Sequence, residues 1–206
     1  MKRYLSLLLI LISLFSFGCQ KAPDKVEEVP ESVETVEEVK EEPKNAKNES
    51  TPEERLASVS LDMFPLFQDI GYTIEIVHDS ISNYGYEGKD GARGTCDFNN
   101  KRIIVQYTII DDYGDHFEKT IYHEMAHAIE HEKGKLSLSE EFSKCYNEAL
   151  ALLSAKELNY TEDYYSYYLN DPIEYFAESY ALYKMKNEIV KENAPLTYAF
   201  FENNMK

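Results

Sequence analysis

His123, Glu124 and His127 are the residues whose types and spacing most directly imply chemistry. Side chains four apart on a helix stand one above the other, with Cβ atoms about 5–6 Å apart, so two imidazole nitrogens can reach one ion. Glu124 sits beside them as a carboxylate able to take a proton from water activated by that ion. Two ligands and one general base are the physical content of a His-Glu-x-x-His motif, and here the motif is His123-Glu124-Met125-Ala126-His127. The ion expected is zinc, one per chain, and the activity expected is hydrolysis.

A catalytic zinc needs a third protein ligand and one open position. His131 continues the four-residue series, but eight residues of helix rise about 12 Å, too far to share an ion with His123. The metalloproteases of the Met-turn class require Gly and His where this chain has Glu130 and Lys133, which excludes that class. Glu148, in Asn147-Glu148-Ala149, is one candidate on a following helix. It resembles the third ligand of thermolysin-like enzymes, although Leu152 stands where their pattern has an aspartate. Glu174 is the other, with Glu178 one turn later on the same helix face and Tyr175, Phe176, Tyr180 and Tyr183 as packing surface. Spacing leaves its role open, because Asp171-Pro172-Ile173-Glu174 also fits a capping box in which Glu174 folds back on its own helix terminus.

The run Glu174-Tyr175-Phe176-Ala177-Glu178-Ser179-Tyr180 lies between His123-Glu124-Met125-Ala126-His127-Ala128 and Asn193-Ala194-Pro195-Leu196-Thr197-Tyr198. In that order these segments resemble the catalytic domain of the family of anthrax lethal factor and the clostridial Pro-Pro endopeptidases, most strongly over 121–201. The resemblance implies a zinc metalloendopeptidase. His123, His127 and Glu174 match the family's zinc ligands, Glu124 its base and Glu178 its second acidic residue, suited to orient a ligating histidine. Tyr167 matches the position of a catalytic tyrosine, among the crowding tyrosines 164, 165 and 168. The expected substrate is a protein or peptide. No cleavage-site specificity carries over, since the two named relatives cut different targets.

The elements that must position these residues read as an α+β layout, a small mostly antiparallel sheet followed by a helical half that carries the motif. A helix is expected from Pro52, with Thr51 to Glu54 as its start and Pro65 bending or ending it. Strands are expected over 72–77 and 101–110, the latter paired in a hairpin with 92–98 across Asn99-Asn100, after a Gly-rich loop over 85–94. Helices follow over 116–132, ended by Gly134, over 139–158, over 171–187 and from Pro195 onward. An extended substrate is expected to pair with the edge of the 101–110 strand.

The net charge of -17 excludes a nucleic-acid surface as partner, and one domain accounts for the folded part of the 206 residues. Residues 1–18 read as a lipoprotein-type signal peptide: Lys2 and Arg3 precede an apolar stretch too short to span a membrane. Cys19 follows as the lipidation site, with Ser16 where the usual pattern has an aliphatic residue. Residues 19–51 are too acidic and polar to bury a core and read as a disordered tether, leaving 52–206 as the catalytic domain. The expected setting is extracytoplasmic, lipid-anchored to the bacterial membrane or secreted, and monomeric. Cys96 and Cys145 form an even pair whose bonding the sequence does not decide. The competing class is a catalytically silent surface lipoprotein, a binding or immunity module on the same fold; an intact Glu124 counts against it, since a binder has no use for the base.

Overall fold

The protein is described from a computed structural model covering residues 48–86 and 91–205, with backbone alone for 61–66 and 68. The expected signal peptide, Cys19 and nearly all of the expected tether lie outside the described residues.

Helix α1 (Pro52–Gln68) opens on a complete capping box. Thr51 Oγ1 accepts from the Glu54 N–H at 3.2 Å while the Thr51 N–H donates to Glu54 Oε2 at 2.9 Å, which satisfies two donors the helix end leaves free. The helix runs on through Pro65 to Gln68. Three strands follow, β1 (Thr73–Val77), β2 (Gly94–Asp97) and β3 (Arg102–Gln106). The sheet order is β1-β3-β2. The hairpin β2–β3 is antiparallel, with Gly94 opposite Val105 and Asp97 opposite Arg102, whereas β1 pairs with β3 in parallel from Thr73↔Arg102 to Val77↔Gln106. The sheet is therefore mixed, with one parallel and one antiparallel pairing. The strand expected over 101–110 stops at Gln106, and Ile109–Asp112 turns as a 3-10 helix. This turn keeps the Asp111 carboxylate inside, where it accepts from the Thr108 N–H and pairs with Arg93.

Helix α2 (His116–Glu132) matches its expected span and ends where Gly134 takes a φ of 91°, a left-handed conformation open to glycine at little cost. The single helix expected over 139–158 is instead α3 (Glu140–Cys145), a 3-10 turn at Tyr146–Glu148, α4 (Ala149–Leu153) and a second 3-10 turn. The break has a visible use, since it turns Glu148 onto the start of a later helix. Between the helices expected over 139–158 and 171–187, where no element is expected, the tyrosine-rich stretch folds as α5 (Glu162–Leu169), started by Thr161, whose hydroxyl oxygen accepts from the Tyr164 N–H. Then come α6 (Pro172–Met185), α7 (Asn187–Asn193) and α8 (Pro195–Asn204).

α6 is buried on every side over Tyr175 to Leu182, mostly through aromatic and small side chains, with Glu178 and Ser179 as its buried polar members. Its aromatic side chains build the main core with α3 and α8: the Phe142 and Phe176 rings are 5.0 Å apart edge to face, and Phe201 lies 5.4 Å from Phe176 and 5.2 Å from Tyr180. α2 packs along α6 and under β2 and β3. Arg55 ties α1 to this frame, almost fully buried, pairing with Glu118 and donating to the backbone carbonyls of Asp111 and Gly114. No helix among the described residues is long and apolar enough to cross a membrane.

Candidate metal centre

α2 and α6 bring together side chains that are about fifty residues apart in sequence. His123 Nε2 lies 3.1 Å from His127 Nε2 and 3.4 Å from Glu174 Oε2, and His127 Nε2 lies 3.7 Å from Glu174 Oε1. Donors bound at ~2.1 Å to a tetrahedral ion sit ~3.4 Å from one another. Two imidazoles and a carboxylate at this spacing, converging within 4.8 Å, fit three corners of a zinc site. The three flank an open cleft of about 660 Å³ that is also lined by Glu124, Tyr167 and the β2 segment.

The electrostatics favour a cation at this point. Burial works against charging His123, but the hydrogen bonds its ring N–H groups donate to the Glu174 and Glu178 carboxylates outweigh it and lift its pKa to about 10. Burial likewise opposes ionisation of Glu174, and the two imidazoles outweigh that too, holding it well below the usual carboxylate range.

Asp171 caps α6 alone, its carboxylate accepting from the Ile173 N–H at 2.9 Å. The reciprocal half of the capping box is replaced, because the Glu174 carboxylate faces the histidines. Glu148 is elsewhere: its carboxylate accepts from the N–H groups of Leu196 at 3.0 Å and Thr197 at 3.1 Å and from the Thr197 hydroxyl at 3.3 Å. It caps α8, a helix whose own preceding residue, Ala194, has no side chain for the task. His131 is exposed and stacks on Phe98 at 4.3 Å.

The family model described as "Anthrax toxin lethal factor, N- and C-terminal domain" matches residues 82–204, more than half of the chain. The chain belongs to the anthrax lethal factor family. The match spans both helices of the convergent site. No curated protein matches the chain.

In this lethal factor family member Glu178 is 1% exposed, and its Oε2 lies 3.5 Å from His123 Nδ1. A carboxylate on Nδ1 fixes the ring and leaves Nε2 for the ion. Lys119 Nζ reaches Glu178 Oε1 at 2.7 Å, and the Tyr160 hydroxyl donates to the same oxygen at 2.7 Å. Burial lowers the pKa of Lys119, but the neighbouring Glu178 carboxylate outweighs it and leaves the ammonium above its ordinary value. Sequence reading missed both residues. Lys119 had a signal, since it stands four residues before His123 on the same helix face; Tyr160 had none.

Glu124 is mostly buried beneath β2 and lines the cleft. Of the tyrosines on α5, Tyr168 donates to the Tyr164 hydroxyl at 3.1 Å, and Tyr164 accepts from Lys119 at 2.7 Å. Tyr167 is 58% exposed at the rim. Partial burial pushes its phenol up, with the Glu174 carboxylate adding to the effect, to about 12, so it is a hydrogen-bond donor at neutral pH.

Cys96 and Cys145 are free thiols, both pushed up by burial, Cys145 to about 11.

Proposed function

We propose that the protein is a zinc metalloendopeptidase that hydrolyses peptide bonds of extracytoplasmic proteins. The observation carrying this reading is the convergence of His123, His127 and Glu174 donor atoms at 3.1 to 3.7 Å beside the Glu124 carboxylate. Membership of the lethal factor family supports it.

His123 Nε2, His127 Nε2 and a Glu174 oxygen would hold the ion. Zinc bound there supplies a Lewis acid that lowers the pKa of water and polarises a carbonyl. Glu124 accepts the proton of the attacking water and returns it to the leaving amine. Tyr167 donates a hydrogen bond to the developing oxyanion from the open side of the cleft. β3 is central, with both edges paired, so it offers no edge to a substrate, and the expected pairing with it is replaced. The outer edge of β2 is open among the described residues, and Gly91 to Cys96 line the cleft. An extended substrate would pair with β2.

The proposal extends to the rest of the chain: 1–18 as signal peptide, lipid on Cys19 holding the protein to the outside of the bacterial membrane, and 19–51 as tether to a monomeric catalytic domain over 52–206. Cleavage of a combinatorial peptide library by the full-length chain, run beside Glu124→Ala, tests the activity. Cleavage by wild type alone is expected, and equal cleavage by both would refute it. Cys19→Ala should move the protein from the membrane to the soluble fraction.

A further inference from the structure

One oxygen of Glu178 is saturated before His123 is considered. Oε1 receives both Lys119 Nζ and the Tyr160 hydroxyl, each at 2.7 Å, in a place where the carboxylate is 1% exposed. Lys119 is itself held in a fixed pose. Its ammonium sits over the rings of Tyr160 and Tyr164 at 4.6 and 4.9 Å and also donates to the Tyr164 hydroxyl at 2.7 Å. The free oxygen of Glu178 is Oε2, the one 3.5 Å from His123 Nδ1.

We propose that Lys119 and Tyr160 are positioning residues of the metal centre: by occupying Oε1 they aim Oε2 at His123 Nδ1 and so turn Nε2 of that ring toward His127 and Glu174. A carboxylate with two equivalent oxygens has no intrinsic preference for which it presents. Two donors on one side remove that freedom, and a buried carboxylate stripped of them would be left with unmet hydrogen-bonding capacity beside a ligand. The inference rests on the reading of His123, His127 and Glu174 as zinc ligands.

Zinc affinity of the full-length chain, measured by competition with a chromophoric chelator, tests it. Lys119→Met should weaken zinc binding about 10- to 100-fold, the range for loss of a residue that orients a ligand. Tyr160→Phe, which removes a single hydroxyl, should weaken it less and in the same direction. The deciding comparison uses Glu178→Gln as background, where Lys119→Met should cost no further zinc affinity because the carboxylate it acts through has gone. An equal loss in both backgrounds would make Lys119 a mere strut between α2 and α6 and overturn the inference, as would wild-type affinity in Lys119→Met. Should Lys119→Met lose its cooperative thermal transition, Tyr160→Phe decides, and unchanged affinity there overturns the inference. A wild type that binds no zinc removes the metal centre itself, whereas zinc-binding wild type with indifferent variants removes this inference alone.

Discussion

A Cβ placed on Gly94 would lie 2.6 Å from both Cγ and Oε1 of Glu124 and 2.8 Å from Thr120 Cγ2. The backbone of β2 rests on the carboxylate proposed as the base, and only glycine permits that approach. Gly94→Ala should therefore displace Glu124 while leaving the proposed ligands His123, His127 and Glu174, which the added Cβ does not meet, in place. Peptide-cleavage kcat is expected to fall roughly 10- to 100-fold, part of the ~10²–10⁴ contribution of a general base, with zinc stoichiometry unchanged. Loss of zinc in parallel with kcat would mean that Gly94 shapes the ligand set instead.

Glu174 and Glu148 should separate cleanly. Glu174→Gln is expected to weaken zinc retention during dialysis against a chelator, whereas Glu148→Ala should retain zinc and lower the thermal midpoint. A cap of this kind is worth about 0.5–2 kcal/mol, and α8 loses its acceptor for the N–H groups of Leu196 and Thr197. Zinc loss on substitution of Glu148 would reverse the assignment.

Tyr167→Phe removes a hydroxyl from an exposed rim position and should leave the fold and zinc content intact. If the hydroxyl serves the oxyanion, kcat falls by about 10²–10³ with little change in KM. Tyr164→Phe provides the contrast, since that hydroxyl is committed to Lys119 and Tyr168. A kcat effect confined to Tyr164→Phe would move the role.

Asp97 gives the β2–β3 turn a pH dependence. Hydrogen bonds from the Asn100 side chain first, then from the Tyr86 hydroxyl and backbone N–H groups, hold its carboxyl below the ordinary value. A depressed folded-state pKa contributes stability that is present above the unfolded value of about 3.9 and lost as pH falls through the folded one. In thermal melts with chelator present throughout, the gap between wild type and Asp97→Ala should be constant near neutral pH and shrink below about pH 4. A gap that persists at pH 3 would assign it to turn geometry alone.

Local rules carried the sequence far wherever one element suffices. The helix start at Thr51 to Glu54, α2 over 116–132 with its Gly134 stop, and the hairpin across Asn99-Asn100 all formed as expected. Propensity failed at α3 to α4, where a continuous helical pattern breaks at Tyr146–Glu148 to serve α8. It also failed at α5, whose tyrosines look like loop until Lys119 and α6 give them partners.

What the sequence determined by itself is the pairing of His123 with His127 and the adjacency of Glu124, because a four-residue spacing on a helix puts two side chains on one face whatever surrounds it. Which glutamate meets them was a tertiary decision. Glu148 and Glu174 both lie on helical segments downstream, and their spacing treats them nearly alike. Packing of α6 against α2 brings Glu174 to the imidazoles, while the 3-10 turn before α4 delivers Glu148 to the N-terminus of α8. Contacts between residues fifty positions apart depend on how helices stack, which no local periodicity encodes.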